Sequence, residues 1–372
     1  MNLQDLPLGI HERVSFSLRS LYNRYGYSRY KMGKFEEYDL YARNKDFLIS
    51  DSVITFTDLS GKLMALKPDV TLSIVKNSKD DPDTLQKLYY NENVYRVSKG
   101  SHGFREIMQV GLECLGLVDD YCICEVLSLA AGSLQSISQD CVLDVSHLGV
   151  LSQVLDAVGV AKDQKAAALK CVGQKNIHEL AAICRSSGVT EEKVQLLTDL
   201  VTISGDPTTV LPQIEALLDG VIDVAPLEQL LRVVRAMDNS CVLRFDFSVV
   251  DDVRYYDGIV FKGFIRGLPG SVLSGGQYDK LMRKMRRRSG AIGFAVYMDM
   301  LERLEDNRKA YDVDAVLLYD ETSGLDAVRA QADRLTAQGC SVLVQRNVPE
   351  NIRYRQLLKL CEGEVEVLEN NA

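Results

Sequence analysis

Polar side chains on predicted strands with apolar neighbours are the residues of this chain that could do chemistry. Gln109 and Glu113 are four residues apart on one predicted strand, so both point to the same face. Gly111 between them is expected to leave that face open. A buried carboxylate is costly unless it is paired, so Glu113 lies at a rim or meets a cationic ligand. The alternative is a surface strand with alternating polar residues.

Two further pairs stand where a strand begins or ends. Asp69 and Thr71 follow Pro68 at the end of a predicted strand, where side chains often face a site, and their alternative role is an ordinary turn and helix cap. Tyr255 and Tyr256 stand at the start of a predicted strand, and their alternative role is core packing beside a turn. Each pair is a weak signal alone, and the three pairs together indicate a site.

The elements that must position these residues follow from hydrophobic periodicity and from glycine and proline breakers. The chain is predicted to begin with a helix over 10–25 and to continue with short strands, a long hairpin and a further helix. The predicted strands are 47–49, 53–56, 63–66, 85–97, 106–116, 241–247, 255–264 and 290–298, with helices at 71–76, 121–136 and 299–306. Six helices without a common period fill 148–238, which indicates an insertion and not a repeat.

Residues 311–372 are predicted to form a separate small α/β domain, because a charged segment precedes them and strand and helix patterns alternate. The elements expected there are a strand at 315–319, a helix at 324–337, a strand at 341–345, a helix at 351–361 and a strand at 365–368. The remaining residues, 1–310, are predicted to form the larger domain.

Composition excludes several classes of protein. The formal charge of -9 argues against a general nucleic-acid binder, and the one dense basic run, Arg283 to Arg288, is interpreted as a solvated helix or loop face. Nine scattered cysteines, four distant histidines and the absence of a long apolar run predict a cytoplasmic protein without a metal site or membrane span. No glycine-rich phosphate loop is present, so no cofactor is expected.

Six segments in order resemble the class II aminoacyl-tRNA synthetases, specifically the histidyl-tRNA synthetase branch. They are 19–37 (motif 1), 66–71 (LKPDVT), 89–116 (motif 2), 255–261 (YYDGIVF), 274–281 (SGGQYDKL) and 291–295 (motif 3). The resemblance implies an α+β fold, with an antiparallel sheet flanked by helices, the helical insertion, and a C-terminal domain like a shortened anticodon-binding domain.

The resemblance also implies a role for each pair. Asp69 and Thr71 would hold the α-amino group of an amino acid, while Gln109 and Glu113 would face its ammonium and imidazole side. Tyr255 and Tyr256 would form the wall beside the imidazole. A zwitterion that carries a ring needs carboxylates, a hydroxyl and an aromatic wall, so the chemistry agrees.

Departures from the family pattern affect the positions that ATP chemistry needs. Asp251 stands where the family has a catalytic arginine, and Met300 replaces the motif 3 arginine. Motif 2 retains Arg96 and Arg105 as cations but has Ser98 in place of a glutamate. Amino-acid activation needs preorganised cations around the α-phosphate, so aminoacylation is not expected and no catalytic residue is assigned.

This pattern of retained and lost residues resembles the regulatory subunits of ATP phosphoribosyltransferase, a non-catalytic branch in histidine biosynthesis. The resemblance implies a short catalytic subunit as partner, a homodimer within a hetero-oligomer, histidine as effector, and no tRNA. Two alternatives remain: a divergent histidyl-tRNA synthetase or other amino-acid-activating ligase, and a free-standing histidine-binding or tRNA-mimic protein.

Overall fold

The computed structural model describes residues 8–48, 53–81, 83–97, 103–238, 242–250, 255–305, 311–348, 350–361 and 364–371. The chain divides into two compact units, residues 1–302 and 303–372.

Helices of the first unit, up to and across its boundary, are α1 (Ile10–Arg24), α2 (Tyr38–Arg43), α3 (Thr71–Asn77), α4 (Asp120–Ile137), α5 (Leu148–Val158), α6 (Lys165–Gly173), α7 (Ile177–Ser186), α8 (Glu191–Thr202), α9 (Pro207–Leu218), α10 (Ala225–Arg235), α11 (Asp279–Lys284) and α12 (Glu302–Glu305). Its strands are β1 (Ser28–Arg29), β2 (Phe35–Glu37), β3 (Thr55–Thr57), β4 (Leu63–Leu66), β5 (Gln86–Val97), β6 (Phe104–Gly116), β7 (Cys141–His147), β8 (Ser204–Gly205), β9 (Leu243–Asp246), β10 (Ile259–Ile265), β11 (Leu273–Gln277) and β12 (Gly290–Tyr297). Short 3-10 turns form at Lys45–Phe47 and Met298–Leu301.

A nine-stranded sheet is the centre of this unit, in the order β1-β5-β6-β12-β11-β10-β7-β9-β8. Neighbouring strands are antiparallel except for the β1–β5 and β7–β9 pairs, which are parallel. A separate small sheet has the order β2-β4-β3. The predicted fold, an antiparallel sheet flanked by helices with a helical insertion, is confirmed, and the two parallel pairs make the sheet mixed.

Helix α1 forms where the sequence predicts it. Ile10, Val14, Leu18 and Tyr22 recur every four residues and are all buried, which is the spacing of one helical face. The helix ends before Gly26, which adopts a left-handed φ of 81° that few other residues tolerate.

The insertion consists of α5 to α10 and follows strand β7 directly. Its apolar faces pack inward, and Leu151, Leu180, Leu211 and Leu230 are completely buried. The loop before α7 is joined to the large sheet by the Lys175 Nζ, which donates to an Asp246 carboxylate oxygen at 2.7 Å.

Two sequence predictions for the first unit need correction, and two central strands have no predicted counterpart. Residues 47–49 were expected to form a strand, but Phe47 ends a 3-10 turn and residue 49 lies outside the described residues. The strand expected from Tyr255 begins only at Ile259, because residues 255–258 form a turn. The two strands without a predicted counterpart are β7, which lies between β10 and β9 in the sheet, and β11, which lies between β12 and β10.

In its described residues, the second unit consists of a four-stranded sheet and one helix. Its elements are β13 (Val313–Leu318), α13 (Leu325–Ala337), β14 (Val342–Gln345), β15 (Tyr354–Cys361) and β16 (Glu364–Asn370), and the strand order is β14-β13-β15-β16. The helix predicted at 351–361 is wrong, since this segment is strand β15. Leu357 and Leu358 are both buried, one in each of two apolar clusters, so apolar residues on both faces obscured the period-two pattern.

Candidate functional site

A polar pocket lies at the centre of the large sheet, over strands β5, β6, β11 and β12. The cavity itself is small, with a volume of about 30 Å³. All six residues that the sequence predicts for an amino-acid site line this pocket, as does one of the two predicted motif 2 cations. The lining is Asp69, Val70, Thr71, Tyr90, Arg96, Gln109, Glu113, Tyr255, Tyr256, Ser274, Tyr278, Gly293, Phe294, Ala295 and Tyr297.

The Glu113 carboxyl group lies at the floor of the pocket and is 2% exposed. Thr71 Oγ1 donates to its Oε1 at 2.5 Å, and the Tyr278 hydroxyl donates to its Oε2 at 2.5 Å. Burial raises the pKa of Glu113 to about 8, against the lowering effect of the two hydroxyl donors, and the nearby Asp69 adds to the rise. A group titrating near neutral pH in a pocket is typical of functional sites.

Asp69 reaches the pocket from the loop between β4 and α3. Its Oδ1 accepts the backbone N–H of Leu72 at 2.8 Å, as a residue at a helix start does. The predicted cap role is therefore present together with the pocket position. Burial raises the pKa of Asp69, and the Leu72 N–H and the Arg96 charge oppose that rise. Two buried carboxyl groups in one pocket favour a cationic ligand.

Aromatic rings form one side of the pocket. Tyr255 and Tyr256 meet edge to face with ring centroids 4.9 Å apart, and Tyr255 lies 5.7 Å from the Tyr278 ring. Tyr255 and Tyr278 also belong to the hydrophobic core, so Tyr255 has both roles considered for it. Tyr278 was not assigned to the site from the sequence. Its position in the segment GGQYDKL was the available signal, but the hydrogen bond to Glu113 follows only from the fold.

Gly111 does not leave the strand face open, contrary to the sequence prediction. A Cβ on Gly111 would lie 2.6 Å from the Tyr90 ring and hydroxyl. Tyr90 is the direct cross-strand neighbour of Gly111, so the missing side chain makes room for the tyrosine ring. The face that carries Gln109 and Glu113 is thus shaped by an aromatic ring from β5.

The two motif 2 cations have different environments. Arg96 lines the pocket, and its Nε donates to the Pro68 carbonyl at 3.0 Å. Arg105 is absent from the described pocket lining, is 57% exposed, and forms an ion pair with Asp299 at 3.1 Å. The half-buried Met300 occupies the 3-10 turn after β12. Residues 98 and 251, which also depart from the family pattern, lie outside the described residues.

Other features considered in the sequence have structural roles. In the basic run, Arg283 and Lys284 are exposed and form surface ion pairs with Asp257 and Asp46. The run is therefore a solvated face whose charge is partly paired within the chain. The described cysteines are all free thiols. Within the described ranges, no cluster of histidine, cysteine or acidic residues is arranged to hold a metal ion. No described helix is long and apolar enough to cross a membrane.

Gly293→Ala is expected to destabilise the protein and to displace Glu113. A Cβ there would lie 1.8 Å from the Glu113 Oε2 and 2.5 Å from the Leu112 carbonyl oxygen. Because the backbone oxygen cannot move aside, overpacking should cost about 1–3 kcal/mol, measured by urea unfolding followed by circular dichroism. Gly33→Ala, whose Cβ would come no closer than 3.5 Å to any neighbouring atom, is the control. Equal losses in both variants would contradict a tight fit at Gly293.

The mixed nine-stranded sheet with its acidic, aromatic pocket defines a protein of the class II synthetase type. The family model described as histidyl-tRNA synthetase matches residues 9–301, and the chain belongs to this family.

Similar proteins include both regulatory and synthetase relatives. An ATP phosphoribosyltransferase regulatory subunit from Oceanobacillus iheyensis is 24% identical over 88% of this chain and 83% of its own. A histidine–tRNA ligase from Methanocaldococcus jannaschii is 28% identical over 77% of this chain and 70% of its own. A chain from the solved ATP phosphoribosyltransferase complex of Thermotoga maritima has the same fold, with a TM-score of 0.61 and 18% identity, covering 78% of this chain and 98% of that one. Several other relatives carry the regulatory-subunit name, so the predicted resemblance to this group is confirmed.

Proposed function

We propose that this protein is the non-catalytic regulatory subunit of an ATP phosphoribosyltransferase, that a short catalytic subunit requires it for activity, and that histidine acts through its pocket. The observation that carries the proposal is that the pocket keeps its amino-acid end but lacks the cations that ATP chemistry needs. The end of the pocket that suits an amino acid keeps its carboxyl groups and tyrosines, while motif 3 ends in Met300 and Arg105 is paired with Asp299.

Loss of ATP chemistry is the first part of the proposal. Activation of an amino acid develops negative charge on the α-phosphate, and removing one preorganised donor typically lowers the rate by a hundredfold or more. Met300 supplies no charge, and the guanidinium of Arg105 donates to the Asp299 carboxylate at 3.1 Å. The Arg96 side chain remains in the pocket lining, and one arginine is a poor substitute for the full set.

Histidine fits the side chains that remain. Asp69 and Thr71 would hold the α-amino group, and Glu113 with Gln109 would face the ammonium and imidazole side. The Tyr255–Tyr256 pair supplies the apolar wall for the ring. Arg96 is a cation available for the ligand carboxylate. These side chains support histidine as effector over a metabolite that lacks an ammonium group.

Assembly is the third part of the proposal. The chain is proposed to act in the cytoplasm as a homodimer within a hetero-oligomer, with the second unit as a shortened anticodon-binding domain that packs or docks and does not read tRNA. The exposed side chains of Glu364, Glu366 and Glu369 make strand β16 acidic. Such a strand repels nucleic-acid phosphates.

Reconstitution tests the proposal directly. The purified chain is mixed with its cognate short catalytic subunit, and formation of phosphoribosyl-ATP is followed with and without histidine. We expect the catalytic subunit alone to be almost inactive, the mixture to be at least tenfold more active, and histidine to inhibit the mixture. No change in rate on adding the chain would overturn the proposal.

The synthetase alternative has one observation in its favour, the 28% identity to a histidine–tRNA ligase. Histidine-dependent exchange between ATP and pyrophosphate separates the two functions, because only an amino-acid-activating enzyme catalyses it. We expect no exchange above the blank. Exchange that depends on histidine would establish the alternative, whatever the reconstitution assay gives.

A further inference from the structure

We infer that Lys67 and Glu92 form a positioning pair that sets the affinity of the pocket for its amino-acid ligand. The inference rests on the proposed histidine site. Neither residue belongs to the described pocket lining, and neither is assigned to ligand binding by the family resemblance. Both adjoin residues that do line the pocket: Lys67 stands two positions before Asp69, and Glu92 lies between Tyr90 and Arg96 on β5.

Lys67 is a buried charge with one acidic partner. Its side chain is 1% exposed, and its Nζ donates to Glu92 Oε2 at 2.5 Å, where the Glu92 side chain is 13% exposed. A buried ion pair rarely adds net stability over apolar residues of similar size, whereas removing one partner leaves an uncompensated charge and is strongly destabilising. The role of the Lys67–Glu92 pair is therefore better explained by how it positions the segments that it joins than by the stability that it adds.

The geometry that it imposes is the docking of the loop between β4 and α3 onto strand β5. The Lys67 carbonyl accepts the Tyr95 N–H at 2.9 Å, and the Pro68 carbonyl accepts the Arg96 Nε at 3.0 Å. Together with the Lys67–Glu92 ion pair, these two hydrogen bonds give residues 67 and 68 of the loop three polar attachments to strand β5. The ion pair is the attachment made by two side chains, so it can be removed without changing the backbone.

This docking decides where the ligand-facing groups of the loop lie. Asp69 and Thr71 follow at once in the chain, and Thr71 donates to Glu113 across the pocket. On the hairpin, Glu92 is the direct cross-strand neighbour of Gln109, so the pair also lies beside the other wall of the pocket. A shift of the loop away from β5 would move Asp69 and Thr71 away from Glu113 and Gln109 together.

Three variants test the pair: Lys67→Met, Lys67→Arg, and the double variant Lys67→Met with Glu92→Gln. Histidine affinity is measured by calorimetry on the full chain in complex with its catalytic subunit, and stability by urea unfolding. We expect at least a tenfold loss of affinity in Lys67→Met and a loss of less than threefold in Lys67→Arg, because arginine keeps the charge. The double variant removes the orphaned carboxylate, so its unfolding midpoint should return towards the wild-type value while its affinity stays low.

A purely structural pair would give a different result, in which affinity follows the unfolding midpoint and recovers in the double variant. That recovery, or binding by Lys67→Met within twofold of wild type, overturns the inference. Hydrogen exchange of the amides of residues 67–72 tests the loop without any ligand. We expect faster exchange in Lys67→Met than in Lys67→Arg, and equal rates would overturn the inference. Absence of histidine binding by the wild type, with loop exchange as expected, would instead count against the proposed effector.

Discussion

Glu113→Gln is expected to unfold at a higher urea concentration than the wild type at pH 9 and at nearly the same concentration at pH 5. The Glu113 carboxyl group is buried and its pKa is raised to about 8, from an ordinary value of 4.5. Between about pH 4.5 and pH 8, the Glu113 carboxyl group has lost its proton in the unfolded chain but keeps it in the folded chain. Folding is therefore increasingly penalised as the pH rises through this window.

The direction and size of the effect follow from linkage. A raised carboxyl pKa contributes stability that is complete below about pH 4.5 and is lost as the pH rises through about 8. One pKa unit corresponds to about 1.4 kcal/mol, so the shift of Glu113 makes the penalty at pH 9 several kcal/mol. Glutamine cannot ionise, and its amide can still pair with the Thr71 and Tyr278 hydroxyls. The variant therefore escapes the penalty.

Urea unfolding at a series of pH values, followed by circular dichroism, measures the difference. Circular dichroism is suited to a chain without tryptophan. Glu192→Gln, on the exposed surface of α8, controls for the loss of one carboxylate and should show no rise in relative stability at high pH. A Glu113→Gln variant that gains nothing at pH 9 would show that the Glu113 carboxyl group ionises readily in the folded protein.

Two of the three polar pairs of the pocket were predictable because they lie on or beside an element with a clear pattern, whereas Tyr255 and Tyr256 lie in a turn that was predicted as a strand. Gln109 and Glu113 share one strand face by the period of two, and Asp69 follows a proline that ends a strand. Tyr278 could not be assigned in the same way, because its hydroxyl meets Glu113 across 165 residues of sequence. No local pattern gives a contact of that range.

The fold was predictable where breakers mark the element ends, and was missed where breakers are absent or lie inside a strand, as Gly275 and Gly276 do in β11. Helix α1 ends at a glycine, and the six insertion helices are separated by glycine, proline and aspartate. Strand β7 is followed at once by α5, and no breaker separates them. The segment of β15 was assigned to a helix because Leu357, Leu358 and Leu360 also suit helical spacing. Strand β15 is apolar on both faces because its residues are buried on both faces of the sheet, and only the tertiary structure shows this.

The affinity for histidine is expected to fall by at least thirtyfold in Asp69→Asn. A buried carboxylate that holds an ammonium group makes a charge-assisted hydrogen bond, and truncating one side of such a pair costs about 2–5 kcal/mol. Asp69 is buried, and its position is fixed by the Leu72 N–H at 2.8 Å. Asparagine keeps the size and the cap but removes the charge. The loss therefore reports on charge and not on packing.

A ligand without the ammonium group shows whether Asp69 is its partner. Imidazolepropionate keeps the ring and the carboxylate of histidine but lacks the amino group. We expect the wild type to bind histidine at least thirtyfold more tightly than imidazolepropionate, and Asp69→Asn to bind the two ligands with similar affinities, as measured by calorimetry. Asp163→Asn, at an exposed position, should keep the wild-type ratio. If Asp69→Asn also keeps that ratio, the ammonium group does not lie at Asp69, and Glu113 becomes the carboxylate that holds it.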